Sequence, residues 1–289
     1  MQSCTLPILI ICIALYSCTM KNKITIQDGV IDEGKECFQI NMVNATLYYQ
    51  KEAGGFSSIV DTEGKDWLGF RKDTIQAYPA NAASEYRGLP NLIFMSDDNG
   101  AGHPGFDKCE SELISDNQIR TSSKSGKWQW TWTFYPMFAE LLIEKVDPEH
   151  SYWFLYEGIP GGKYRPQQQY WGTDKSGPNK TIPDYYFGNA IFDTWQWVYF
   201  GDDSVDRVLY ICQLQPDDQT DTFSYLGNTD EGVISPDGMI VFGFGRDEGA
   251  VSLLNEVGMK FIFGFREERI MTFEEHHKFQ GSMDDLIFE

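Results

Sequence analysis

Two stretches of the chain concentrate side chains that bind polar ligands and move protons. Residues 85–91 and 102–105 bring Tyr86 and Arg87 near His103, one of four histidines in the chain. Residues 156–171 add Tyr156, Glu157, Tyr164, Arg165, Gln167, Gln169, Tyr170 and Trp171. A guanidinium is a planar fork that grips a carboxylate at two points, so Arg87 and Arg165 are candidate carboxylate ligands. An imidazole or a phenol within hydrogen-bond reach of a reacting group can exchange a proton with it, which makes His103 and Tyr164 candidates for base and acid. Aromatic faces lie flat on the apolar faces of a pyranose ring, while amides and carboxylates bond its hydroxyls. On that basis Arg87, His103 and Tyr164 form the candidate catalytic set. Arg165, Glu157, Gln169, Tyr170 and Trp171 form the candidate substrate-binding set, and the ligand they suit is a sugar.

Each of these residues has a structural reading as well. His103 sits in Gly102-His103-Pro104-Gly105, a tight turn that can use its ring as a loop donor. Arg87 and Arg165 also fit ordinary loop salt bridges, and Tyr164 and Trp171 fit lids over a core. The run Glu274, Glu275, His276, His277 could bind a metal or supply a base, but it reads better as a charged strand exit. Other motifs fail. Residues 243–249 lack the glycine spacing and following helix of a dinucleotide site, and no G-x-S-x-G elbow is present. Asp97-Asp98-Asn99-Gly100 lacks the distal glutamate of an EF-hand and reads as a turn. No cofactor is implied, although a structural or charge-bridging calcium stays open.

The elements that must position these residues are strands. In Lys127 to Phe134 the side chains of Trp128, Trp130, Trp132 and Phe134 share one face, the period of two expected of a strand with a buried side. The same alternation runs through Thr194–Tyr199, Met239–Phe244 and Lys260–Phe265. Turn-forming clusters at residues 61–64, 97–100, 201–204 and 235–238 separate the runs. No amphipathic helix is required, and short turns near Ser252–Glu256 and Ser282–Ile287 are the expected exceptions. Residues 80–106 and 157–187 read as two long loops, where function concentrates. The expected fold is all-β: one large antiparallel β-sandwich with few short helices.

Leu6 to Leu15 is almost wholly apolar and leads to Leu15-Tyr16-Ser17-Cys18, a spacing similar to the lipobox of bacterial lipoproteins, though no Lys or Arg precedes it. A spanning helix needs about 20 apolar residues, more than this run supplies. Residues 1–17 are therefore expected to be a lipoprotein signal peptide, with Cys18 lipidated, residues 18–30 a tether and residues 31–289 a single domain. The expected location is the outer membrane facing the periplasm, with the cell surface as the alternative, and the lipid is the expected membrane contact. The net charge of −20 opposes phosphate backbones and anionic membranes, which excludes nucleic acid as a partner. Three cysteines, Cys37, Cys109 and Cys212, remain in the domain. They form no metal or redox motif and read as structural, with one disulfide open but unpaired by spacing.

The hairpin Leu47 to Trp67, followed by Arg87-Gly88-Leu89-Pro90-Asn91, Gly102-His103-Pro104-Gly105 and a tryptophan-rich strand, is similar to the opening of galactose-mutarotase-like domains. Such β-sandwiches occur in sugar epimerases, glycoside hydrolases and polysaccharide lyases. A lipoprotein of this kind also resembles accessory enzymes of bacterial polysaccharide-utilisation systems. The resemblance implies a carbohydrate-active enzyme, and β-elimination on uronic-acid oligosaccharides, by a lyase or a dehydratase, is the leading expectation. It needs a carboxylate ligand, a base for H5 and an acid for the group leaving C4. The strong negative charge favours short substrates over long polyanions. The alternatives are a glycoside hydrolase pairing Glu157 with Glu85 or Asp107, a non-catalytic sugar-binding lipoprotein, and a mutarotase using His103 with Glu274 or Glu275.

Overall fold

The computed structural model describes residues 23–71, 86–182, 190–227 and 237–288. Residues 1–17, Cys18 and Glu85 lie outside them. Strand β1 (Thr25–Asp32) pairs with β2 (Lys35–Asn41), then β3 (Ala45–Gln50) and β4 (Gly55–Asp61), in a four-stranded antiparallel sheet. β1 begins at Thr25, so the folded part takes in residues that the sequence assigned to a tether. An eight-stranded sheet runs in the order β10 (Gln169–Thr173), β12 (Trp197–Asp202), β13 (Val208–Gln213), β18 (Lys260–Arg266), β8 (Phe138–Lys145), β7 (Gln129–Phe134), β6 (Gln118–Ser123) and β5 (Cys109–Ser115). A second four-stranded sheet runs β11 (Ile191–Asp193), β14 (Asp221–Leu226), β15 (Met239–Phe244), β9 (Phe154–Gly158). The short pair β16 (Arg246–Asp247) and β17 (Val251–Ser252) follows β15.

The two four-stranded sheets are joined into one layer. Phe56 donates its N–H to the Leu89 carbonyl at 2.7 Å, and Gly88 and Glu157 exchange N–H to O bonds of 2.7 and 3.0 Å. Residues 88–89 thus stand between β4 and β9, satisfying backbone groups that would otherwise be sheet edges buried against each other. This composite layer faces the eight-stranded sheet in an antiparallel β-sandwich. The tryptophan stripe fills the gap as its period demands, with Trp128, Trp130, Trp132 and Phe134 all in the main core. Phe56 meets Tyr49, Trp132 and Phe263 edge-on at centroid distances of 4.9, 5.0 and 5.4 Å. Cys37, Cys109 and Cys212 are buried free thiols.

Both layers also have an outer face, because side chains on a strand alternate. On β12 and β13, Val198, Phe200, Leu209 and Ile211 enter the main core, while Trp197, Tyr199, Tyr210 and Cys212 point the other way. A helix the sequence reading did not expect, α1 (Phe273–Phe288), covers that outer face with His276, Phe279 and Met283. Its start is a capping box: the Thr272 N–H donates to Glu275 Oε2 at 2.9 Å, and Glu275 N–H donates to Thr272 Oγ1 at 3.2 Å. On the other layer Phe154 and Tyr156 of β9 enter the main core. Trp153, Leu155 and Ile159 join Met239 and Val241 in a small outer cluster. The expected loop over residues 157–187 therefore starts inside β9 and contains β10.

Candidate active site

A cavity of about 700 Å³ opens over that outer cluster. Its floor is β9 and β15. One wall is the segment 91–106 and the other comes from β11, β14 and the turn after β16.

Glu157 stands in the floor. Its backbone is paired on both sides, to Gly88 and to Val241, and period two directs its side chain out of the main core with Trp153 and Leu155. Asn91 Nδ2 donates to Glu157 Oε2. Burial pushes the Glu157 carboxyl up to about 8, opposed by the charge of Arg246 and by the Asn91 hydrogen bond. A carboxyl in that range holds its proton at neutral pH and can serve as an acid.

Arg246 reaches the cavity from β16, with its guanidinium carbon 5.6 Å from the centroid of the Trp153 ring. Among the described residues no acceptor bonds this guanidinium, and its Nε is buried. Burial depresses its pKa while Glu157 raises it. A cation held over an aromatic face, with its donors unspent, suits an anion brought by a ligand. Trp153 is fixed in turn: its ring stacks on Phe94 at 5.1 Å, and its Nε1 donates to the Asn91 carbonyl at 2.5 Å.

His103 lines the same cavity. Its turn lies against the backbone of the composite layer, which is why small residues are needed beneath it. A Cβ on Gly55 would come within 2.4 Å of the Gly102 carbonyl, and one on Gly88 within 2.5 Å of Pro104. His103 Nδ1 is 3.0 Å from the Pro104 carbonyl. A carbonyl only accepts, so Nδ1 carries the hydrogen and the neutral ring keeps its lone pair on Nε2. Tyr86 and Phe192, 41% and 43% exposed, also line the cavity, and the Tyr86 ring meets His103 edge-on at 6.1 Å.

Of the residues singled out from sequence, the cavity brings together His103 and Glu157. The others are placed elsewhere. Arg87 spends its guanidinium on backbone carbonyls, those of Gly69, Asp237 and Gly238, at 2.9–3.0 Å. Tyr164 packs its ring beside Tyr225 and over Gly238, where a Cβ would approach it to 2.3 Å, and burial pushes its phenol up. Arg165 donates to Asp202 and Ser204, each at 2.6 Å. Gln169 donates to the Pro160 and Lys163 carbonyls. Trp171 donates to the Thr181 carbonyl, and Tyr170 accepts from the Ile270 N–H within the α1-covered cluster. None of these six side chains lines the cavity. Asp107 is exposed and outside it, and Glu274 and Glu275 are exposed on α1. Asp97 to Gly100 forms the expected turn, and no metal-ligand cluster occurs among the described residues.

Sequence reading missed Arg246 and gave no role to Asn91. Arg246 lay inside the failed glycine motif, and only strand pairing carries it to Glu157. Asn91 did carry one signal, in that it follows Pro90 in an irregular stretch, where a polar side chain that tolerates positive φ is often structural.

No protein-family model and no curated protein sequence matches the chain. Solved structures do. A candidate mutarotase of Salmonella typhimurium is similar at TM-score 0.51 and 10% identity, over 88% of this chain and all of that one. A candidate aldose 1-epimerase of Klebsiella pneumoniae is similar at TM-score 0.50 and 11% identity, over 93% of this chain and 90% of that one. A heparan sulfate lyase of Pedobacter heparinus shows a weaker likeness at TM-score 0.45 and 9% identity, over 81% of this chain and 34% of that one. The chain has the β-sandwich fold of the galactose-mutarotase-like proteins.

Proposed function

We propose that the protein is a carbohydrate-active enzyme that performs β-elimination on a short sugar bearing a uronic acid, bound in the Glu157 cavity. The observation that carries this reading is the Arg246 guanidinium, its Nε buried beside a carboxyl and its donors bonded by no acceptor among the described residues. In place of Arg87 or Arg165, it would grip the C6 carboxylate and lower the barrier to losing H5. His103 Nε2 takes H5 as a proton, and the C5–H electron pair becomes the C4=C5 bond. The C4–O bond breaks with its electron pair on oxygen, and Glu157 protonates that oxygen. The products are an unsaturated uronate and either an alcohol, for a lyase, or water, for a dehydratase. Solvent then returns the proton from His103 to Glu157. Tyr86 and Phe192, both partly exposed, are the aromatic residues of the cavity on which neighbouring sugar units would stack.

The competing reading is hydrolysis. It is favoured by Asp247, a second carboxyl in the wall of the same cavity. Incubation with a panel of uronic-acid oligosaccharides separates the two. Ultraviolet absorbance of a new C4=C5 bond, lost in Glu157→Gln, supports elimination. New reducing ends without absorbance would replace it by hydrolysis. We further propose an outer-membrane lipoprotein anchored through Cys18. Palmitate labelling in cells that disappears in Cys18→Ala checks this, and persistent labelling would contradict it.

A further inference from the structure

Asn91 is bound up with the site more closely than a loop residue needs to be. Its backbone is in the left-handed region, with φ of 45°, which costs most side chains free energy and asparagine little. Its Nδ2 donates two bonds, one to the Tyr86 carbonyl at 2.9 Å and one to Glu157 Oε2. Its own carbonyl accepts from Trp153 Nε1, and its N–H donates to the Gly102 carbonyl at 2.9 Å, one residue before His103.

The Tyr86 carbonyl fixes which way the amide points. Turning the amide over would set Asn91 Oδ1 against that carbonyl, oxygen against oxygen, so Nδ2 is held toward Glu157. An oxygen that receives an N–H bond is the less favoured place for the proton, because the carbonyl oxygen of a carboxylic acid accepts better than its hydroxyl oxygen, so the proton settles on the other one. We propose that Asn91 is a positioning residue that makes Glu157 Oε2 an acceptor and confines the transferable proton to Oε1. The proposal rests on Glu157 acting as the acid and adds which of its oxygens delivers the proton. It also explains why asparagine suits this position, since its backbone conformation and its two donors are both in use. The charged and titratable groups sharing the cavity with Glu157 are Arg246, His103, Asp247, Glu248, Tyr86 and Tyr225, and none is altered by changing Asn91.

Two variants test it, because both suit the backbone. Asn91→Gly removes the donor and relieves the positive φ. Asn91→Asp keeps the shape and replaces the donor by an acceptor. The readout is the Glu157 carboxyl stretch in infrared difference spectra across a pH titration, assigned by its absence in Glu157→Gln. In Asn91→Gly the midpoint should rise by about one unit, since a bond favouring the charged form is lost. In Asn91→Asp it should rise further, as two carboxyls share one proton. On any substrate turned over, kcat should fall and its pH limb should move with the spectroscopic midpoint, while KM stays within about twofold. An unchanged stretch and midpoint in both folded variants would overturn the proposal. If Asn91→Gly does not fold, Asn91→Asp alone decides it. A protein that eliminates nothing still gives the infrared result, so failure of the functional reading and failure of this inference are separate outcomes.

Discussion

The two outer faces of the sandwich start from the same material and end differently. On the eight-stranded sheet, Trp197, Tyr199 and Tyr210 are sealed by α1, and the helix's own buried His276 hydrogen-bonds Tyr199 at 3.0 Å. On the composite layer, Trp153, Leu155 and Val241 are left under a cavity, and Glu157 there faces a cation with donors unspent. A face covered by a helix satisfies its polar atoms internally. A face left open keeps polar atoms for something else, and that is the difference between a packing surface and a site.

Substitutions in the two faces should therefore separate chemistry from stability. Glu157→Gln should reduce elimination by about 10² to 10⁴-fold, the usual contribution of a positioned acid, without lowering stability at pH 8. A large loss of folding stability instead would make Glu157 a structural group. Phe279→Ala removes a ring packed on Trp197, Tyr199 and Tyr210. It should cost about 3–5 kcal/mol in denaturant unfolding, with activity per folded molecule unchanged. Coupled loss of activity would show that the faces are not independent. Arg246→Lys keeps the charge but loses the fork, and a rise in KM of about tenfold for an acidic sugar is expected, the equivalent of one charge-assisted bond.

In pH dependence the two faces should act with opposite signs. Burial depresses the His276 pKa from its ordinary 6.5, so its stabilising contribution is present above 6.5 and is lost as pH falls through the lower folded value. Glu157 is raised from 4.5 to about 8, so its contribution is complete below 4.5 and is lost as pH rises through 8. Thermal unfolding should show the alkaline loss reduced in Glu157→Gln and the acid loss reduced in His276→Gln. Asp221, buried and also raised to about 8 while accepting from the Trp195 and Gly245 N–H groups, contributes an alkaline loss that Glu157→Gln leaves behind.

The sandwich was legible in the sequence because period two is a local signal, and each aromatic strand carries it whole. The helix was not, although its capping box, Thr272 to Glu275, was present. Its buried stripe is only His276, Phe279 and Met283, and the run of charge at 274–277 masked it. The site was half legible. His103 and Glu157 were identifiable as residue types in loop-like stretches. Arg87 and Arg165 looked equivalent to Arg246 until the structure supplied acceptors for the first two. Which arginine has a partner is a property of strand pairing and turns far apart in the chain, and no local pattern encodes it. The segment at 88–89 is similar: two residues bridge two sheets only because β4 and β9 leave a gap between them.

The proposed chemistry depends most on Arg246 being reserved for an anionic sugar. Calorimetric binding of a uronic-acid disaccharide and of its carboxyl-reduced neutral counterpart, to the protein and to Arg246→Gln, addresses that directly. The acid should bind the unaltered protein at least about tenfold more tightly than the neutral sugar, and Arg246→Gln should erase the difference. Equal binding of the two sugars to the unaltered protein, or a preference that survives Arg246→Gln, would contradict it.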